Sequence, residues 1–201
     1  WKLESKQKGI TIKYITHYAG RPYPSTFSEG IIYKSPLEIN STKLVAAIGM
    51  LGNKAISNPV YETFRFNKAT GKKITLTAPP SKSYPGDGAF TLVNGVQNEK
   101  GLAKRNEFLG FSGADCEAII DLGKDEKIAM VTVHALHQTG SWIWRPLSAE
   151  VHTSTDGSKY EFAGLTDDFN VTIKGLEKGK MKISFDKKEA RFVKIIVKCW
   201  E

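Results

Sequence analysis

FLGFSGADCEAIIDLGKDEKIAMVTVHALHQTGSWIWRPLSAEVHTSTDG, residues Phe108 to Gly157, is the stretch whose reading decides the fold. Ala118 to Leu122 is a short apolar run closed by Gly123. Lys124, Asp125, Glu126 and Lys127 then form a solvated stretch before a second apolar run, Ile128 to Leu136. Strand, polar turn, strand is the grammar of a hairpin. In the second run Val131, Val133 and Ala135 alternate with Thr132, His134 and Leu136, so one face goes to a core and the other is more polar. The pattern then breaks into a polar loop, Gln138-Thr139-Gly140-Ser141. Trp142 and Trp144 follow at a spacing that puts both rings on one side of an extended chain. Alternation resumes from Ala149 to Thr153, and Ser154-Thr155-Asp156-Gly157 supplies a turn whose Gly tolerates positive φ.

Working outward, TLVNG (Thr91 to Gly95), FLGFSG (Phe108 to Gly113), IDLGK (Ile120 to Lys124), WIWRP (Trp142 to Pro146), STDG (Ser154 to Gly157) and ARFVKI (Ala190 to Ile195) occur in a fixed order. Together they resemble the F5/8 type C, or discoidin-like, domains, which include carbohydrate-binding module family 32. The resemblance implies a galactose-binding-like jelly-roll β-sandwich over residues 75–201. Relatives run past the ARFVKI strand to a closing strand, so this module is expected to be truncated or differently closed after Glu201.

Upstream, Ile10 to Ile15, Ile31 to Tyr33, Ser35 to Ile39, Thr42 to Met50 and Tyr61 to Phe66 are short alternating runs separated by Gly, Pro, Asn and Ser. They favour a small antiparallel sandwich over residues 1–74. This part resembles the chitobiase C-terminal, fibronectin-III-associated domain, with an Ig- or fibronectin-like sandwich. The joining stretches FRFNKATGKKITL and YPGDGAFTLVNG resemble the boundary in Bacteroides-type family 20 glycoside hydrolases. Those enzymes are β-N-acetylhexosaminidases with a catalytic barrel upstream of two such modules. The resemblance therefore implies an all-β accessory region of a periplasmic, outer-membrane-associated or secreted enzyme, with the parent catalytic domain as one partner.

Composition fits a folded chain: 201 residues, 40% hydrophobic and 25% charged. No run approaches the roughly twenty apolar residues of a membrane span. Trp1-Lys2-Leu3-Glu4 does not read as a signal peptide, and the chain reads as a fragment whose targeting information lay upstream. The net charge of +8 is confined to residues 1–74, which hold 12 Lys and Arg against 4 Asp and Glu, while residues 75–201 hold 17 of each. The positive charges are scattered among strands, and no RNP, KH or zinc-finger motif accompanies them, which argues against nucleic acid. Solvated surface is the simpler reading; contact with an acidic domain, an anionic glycan or a membrane surface is the other.

Cys116 and Cys199 allow one disulfide, but each lies on or beside an apolar strand, which favours free thiols. His134 and His137, three apart in strand and loop, do not converge as zinc ligands would on a helix. The adjacent carboxylates Asp167 and Asp168 lie in a turn-like LTDDF stretch, whereas glycosidic hydrolysis needs a spaced, rigid pair. GxSxG, phosphate-loop and HExxH motifs are absent from the sequence. The fragment reads as non-catalytic.

A pyranose presents a C–H face that stacks on an aromatic ring and hydroxyls that bond to amides and guanidinium groups. Two loops offer both: Val96 to Phe108, with Arg105 and Asn106, and His137 to Trp144, with Gln138, Trp142 and Trp144. The expected ligand is a glycan of amino-sugar or galactose type. The alternative is a structural module whose tryptophans pack on the parent domain, since an exposed apolar patch marks an interface. No cofactor is expected. The resemblance does imply a structural calcium near TLVNG, where Asn94 stands at a position in which Asp is common.

Overall fold

The structure, a computed structural model, describes residues 1–98, 101–173 and 177–200; the side chains of 103–105, 172 and 173 lie outside that description. The chain is all-β and divides into two compact units, 1–67 with 95–97 and 68–94 with 98 onward.

The first unit holds β1 (Thr11–Tyr18), β2 (Ile31–Ile32), β3 (Lys43–Leu51), β4 (Lys54–Ala55) and β5 (Val60–Phe64) in one antiparallel sheet. β3 is central, pairing with β1 from Thr11↔Met50 to Tyr18↔Lys43 and with β5 from Lys43↔Phe64 to Ala47↔Val60. Leu44, Val45, Ala46, Ala47 and Ile48 are all buried, so consecutive residues, which point to opposite faces, are both covered. Leu3 is buried as well, Trp1 meets Phe64 edge-on at 4.9 Å, and Leu37 N–H donates to Trp1 O at 2.7 Å. Gly95–Gln97 belongs to this unit through the Phe64↔Val96 bridge and an Arg65 N–H to Gly95 O bond of 2.7 Å.

The second unit holds β6 (Lys73–Leu76), β7 (Gly86–Ala89), β8 (Cys116–Leu136), β9 (Ser148–Ser154), β10 (Glu161–Thr166), β11 (Asn170–Ile173) and β12 (Lys178–Lys198). Its sheet runs β10-β9-β12-β8-β6, with β11 also paired to β12. β6 pairs with β8 from Lys73↔Asp121 to Leu76↔Ala118, so the boundary expected between residues 74 and 75 would cut a strand of this sheet. The observed division falls at Asn67/Lys68 instead.

One expectation is overturned. Lys124 to Lys127 does not reverse the chain: β8 runs unbroken through it for 21 residues and pairs along its length with β12. A bulge takes up the start of the polar stretch: Asp121 faces Phe192 and Glu126 faces Ala190, leaving Leu122 to Asp125 opposite Arg191 alone, while Glu126 and Lys127 stay paired. Asp121 holds it. Its Oδ1 accepts Gly123 N–H at 2.8 Å and Arg191 Nε–H at 2.8 Å, and its Oδ2 accepts Arg191 Nη2–H at 2.9 Å. The bidentate Arg191 pair and then the Gly123 N–H draw the Asp121 carboxyl down to about 2. Gly123 supplies the left-handed φ of 84° that the bulge needs.

A second shift leaves Phe185 to Lys187 of β12 opposite Ala129 alone. With both strands bent, their two ends close on one core, in which Met181 and Ile183 cluster with Ile120, Ala149, Val151 and Val193. The sheet so folded is a β-sandwich. β10 crosses close to β12, since a Cβ on Gly164 would come within 2.9 Å of Ile183 Cγ2.

Four of the motifs have structural roles. IDLGK and ARFVKI supply the two halves of the Asp121–Arg191 clamp. In STDG, Asp156 accepts the N–H groups of Ser158 at 2.8 Å and Lys159 at 3.0 Å, and Gly157 lies on the Phe192 ring, with room for no Cβ beyond 3.1 Å. In FLGFSG, Phe111 packs on the core. WIWRP differs from them.

Candidate functional site

The WIWRP loop joins β8 to β9. Gln138 N–H donates to Ile143 O at 2.8 Å and Ile143 N–H to Gln138 O at 3.1 Å, closing a tight loop around a single 3-10 turn, Thr139–Ser141. Gln138 Nε2 donates to Ser141 Oγ at 3.2 Å, so its amide nitrogen stiffens the loop. Trp142 follows with φ 57° and ψ 31°, a left-handed conformation that L-residues adopt at a cost, and its surface is 85% exposed. The extended chain assumed from the i, i+2 spacing is therefore absent at Trp142, and the same-side expectation for Trp142 and Trp144 loses its basis. A Trp in this backbone state and in solvent gains little from the fold, and such strain tends to gather at functional sites.

Trp144 is 51% exposed, with its ring centroid 6.0 Å from His137 and 6.2 Å from Trp200. Trp200 Nε1–H donates to Arg145 O at 2.8 Å. Arg145 N–H donates to His137 Nδ1 at 3.1 Å, and His137 Nε2 lies 3.5 Å from Glu177 Oε2. The segment carrying Trp200 is anchored by Asp115, which accepts from Cys199 N–H at 3.0 Å and Lys198 Nζ at 2.7 Å; these bonds hold its carboxyl below its usual range. Leu147 N–H donates to Lys198 O at 2.9 Å, tying the same segment to the WIWRP loop. The result is an exposed rim in which Trp144 lies beside Trp200 and His137, Arg145 is exposed, and Trp142 stands in solvent two residues before Trp144 on the same loop.

Sequence reasoning missed Trp200. Its approach to Trp144 depends on β12 lying next to β9, a pairing that spans the whole second unit and leaves no local spacing signal.

The other expected residues lie elsewhere. Asn106 is exposed and lines a cleft with Lys82, Ser83, Tyr84, Pro85 and Gly86. None of the described hydrogen bonds, ion pairs or ring contacts links that cleft to Trp144. The Arg105 side chain lies outside the described residues. Asn94 is half-buried, and among the described residues no three His, Cys, Asp or Glu side chains converge as a metal site. Cys116 is buried and Cys199 half-buried, both as free thiols, and burial pushes the Cys116 thiol up to about 12. Asp167 and Asp168 are exposed in the β10–β11 connection.

No protein-family model matches the chain, and no curated protein matches it. Several solved structures are similar to it. The lectin domain of lectinolysin, complexed with Lewis B antigen, is 20% identical with a TM-score of 0.48, over 67% of this chain and 86% of that one. The CpGH89CBM32-5 module of Clostridium perfringens, in complex with GalNAc-β-1,3-galactose, is 15% identical with a TM-score of 0.41, over 63% and 84%. The C-terminal domain of a chitobiase from Bacteroides fragilis is 18% identical with a TM-score of 0.40, over 65% and 83%.

Proposed function

We propose that the second unit is a non-catalytic glycan-binding module whose platform is the rim of Trp142, Trp144 and Trp200. The observation that carries this reading is Trp142, held 85% exposed in a left-handed backbone conformation on a loop closed by two backbone hydrogen bonds. A pyranose C–H face stacks on such an indole with little reorganisation. Arg145 and the His137–Glu177 pair offer donors and acceptors for ring hydroxyls beside Trp144. In keeping with the discoidin-like motifs, the sugar is of amino-sugar or galactose type. The parent is a β-N-acetylhexosaminidase-like glycoside hydrolase of the periplasm, outer membrane or secreted fraction.

The test is a glycan array followed by calorimetry with N-acetylglucosamine, N-acetylgalactosamine and galactose on wild type, Trp142→Ala and Trp144→Ala. A lost platform, at about 1.5 kcal/mol, weakens binding about tenfold. Folded variants that bind as wild type does refute the platform.

A second reading rests on the adjoining exposed rings of Trp144 and Trp200, apolar surface of the kind proteins cover. It makes the rim a docking face for the parent catalytic domain. It predicts no glycan binding on the array and loss of Trp144 solvent accessibility when the catalytic domain is added.

A further inference from the structure

The cleft that takes in Asn106 is a separate feature. Its volume is about 350 Å³, and Lys82, Ser83, Tyr84, Pro85 and Gly86 form the rest of its lining. Its walls are fixed by backbone bonds. Ser81 N–H donates to Gly110 O at 2.7 Å, Gly110 N–H to Tyr84 O at 3.0 Å and Tyr84 N–H to Ser81 O at 3.0 Å. Two glycines make this closeness possible. A Cβ on Gly110 would meet Tyr84 Cβ at 2.8 Å and its ring at 3.0 Å, so Tyr84 lies directly against the Gly110 backbone. Gly86, with φ 51°, would place a Cβ 2.5 Å from Thr91 Oγ1 and 2.8 Å from Phe108 O. Thr91 Oγ1 in turn accepts Asp87 N–H at 2.7 Å, so the floor is held as well.

The polar groups on these fixed walls are uncommitted. Lys82 is exposed and makes no ion pair among the described residues, and the six lining residues include no carboxylate to neutralise it. The Asn106 amide and the Ser83 and Tyr84 hydroxyls likewise have no hydrogen-bond partner among the described residues. A cleft with a hydrogen-bonded backbone that holds an ammonium with no ion pair among the described residues, an amide, two hydroxyls and one aromatic ring is complementary to a small, hydroxylated, singly anionic ring.

We propose that this cleft is a second binding site that takes a carboxylated pyranose of the uronic acid type. The carboxylate pairs with Lys82, ring hydroxyls bond to Asn106 and Ser83, and the C–H face lies on Tyr84. This site stands whether or not the tryptophan rim binds glycan.

The test is a titration of the ¹⁵N-labelled chain with glucuronate and galacturonate, with glucose, galactose and acetate as comparators. A uronate is expected to shift the amides of Tyr84, Gly86 and Asn106. Both the neutral sugars and acetate should bind more weakly, by about tenfold or more. Lys82→Gln, which changes an exposed side chain, should weaken uronate binding by a similar factor in a chain whose spectrum is otherwise unchanged. Trp144→Ala should leave it intact. The proposal is overturned if uronates shift nothing in the cleft, if acetate or glucose binds as tightly, if Lys82→Gln has no effect, or if Trp144→Ala abolishes binding. Uronate binding in a chain whose tryptophan rim binds no glycan would refute the tryptophan platform alone.

Discussion

Replacing Trp142 by glycine separates a functional tryptophan from a structural one. At 85% exposure the side chain keeps only a small part of its surface covered, roughly 40 Å² of the about 250 Å² a Trp can bury. Losing that contact costs about 1 kcal/mol at about 25 cal/mol per Å². Glycine adds about 0.5–1 kcal/mol of chain entropy to the unfolded state. Against these losses stands relief of the left-handed conformation at φ 57°, which costs an L-residue about 1–2 kcal/mol. The terms nearly cancel, so Trp142→Gly should change stability by no more than about 1 kcal/mol, where a core Trp would cost about 3–5 kcal/mol. Trp142→Ala keeps the strain and loses the same contact, so it should be the less stable of the two, by roughly 0.5–1 kcal/mol. Urea unfolding followed by far-UV circular dichroism gives both midpoints without relying on the altered fluorophore. An alanine variant more stable than the glycine one, or a loss above about 3 kcal/mol in either, would show that Trp142 is packed in a relaxed backbone and would refute the reasoning.

Other expectations concern the scaffold that presents the rim. The Asp121 carboxyl, drawn down to about 2, contributes stability that is fully present above its unfolded value of about 3.9 and is lost as pH falls through about 2. Acid unfolding curves of wild type and Asp121→Asn should therefore differ near neutrality and converge toward pH 2; parallel curves would contradict the clamp. Cys116, buried and with its thiol raised to about 12, should resist a thiol-specific reagent at pH 8 until the chain unfolds, whereas rapid labelling of the native state would place it at the surface. Met181, fully buried between the two ends of the long strands, should cost about 2–5 kcal/mol as Met181→Ala in the same urea assay, and a value under about 1 kcal/mol would argue against the shared core.

The parts of this fold legible in the sequence are those set by local alternation. Val131, Val133 and Ala135 are less exposed than Thr132 and His134, and Ala149 and Val151 are buried between half-buried neighbours. Lys124 to Lys127 misled because solvated residues report exposure alone, and Lys124 and Asp125 are as exposed in a bulge as they would be in a turn. What distinguishes the two is Arg191, 70 residues away, whose guanidinium holds the bulge through Asp121. The strand from Lys73 to Leu76 was split between units because its partner, residues Ala118 to Asp121, also lies far along the chain and leaves no local signal.

At the site, WIWRP was legible as an aromatic loop, but its geometry was not. The i, i+2 rule holds only for extended chain, and nothing in the letters announces a left-handed Trp, a residue poorly suited to positive φ. Gln138 was expected to face a ligand, and its amide nitrogen is instead bonded to Ser141. Asn106 was grouped with the tryptophans because both lie on loops that offer groups for a sugar, yet it lines a cleft with Lys82 and Tyr84.

The central claim is that a glycan stacks on the exposed tryptophans of the second unit. The chain has four tryptophans, at positions 1, 142, 144 and 200, each giving one indole N–H signal in a ¹⁵N spectrum. Titration with the best glycan from the array should move the Trp142, Trp144 and Trp200 signals together and leave that of Trp1, in the first unit, unmoved. Binding that leaves all three rim signals in place, or an array on which no glycan binds, would contradict it.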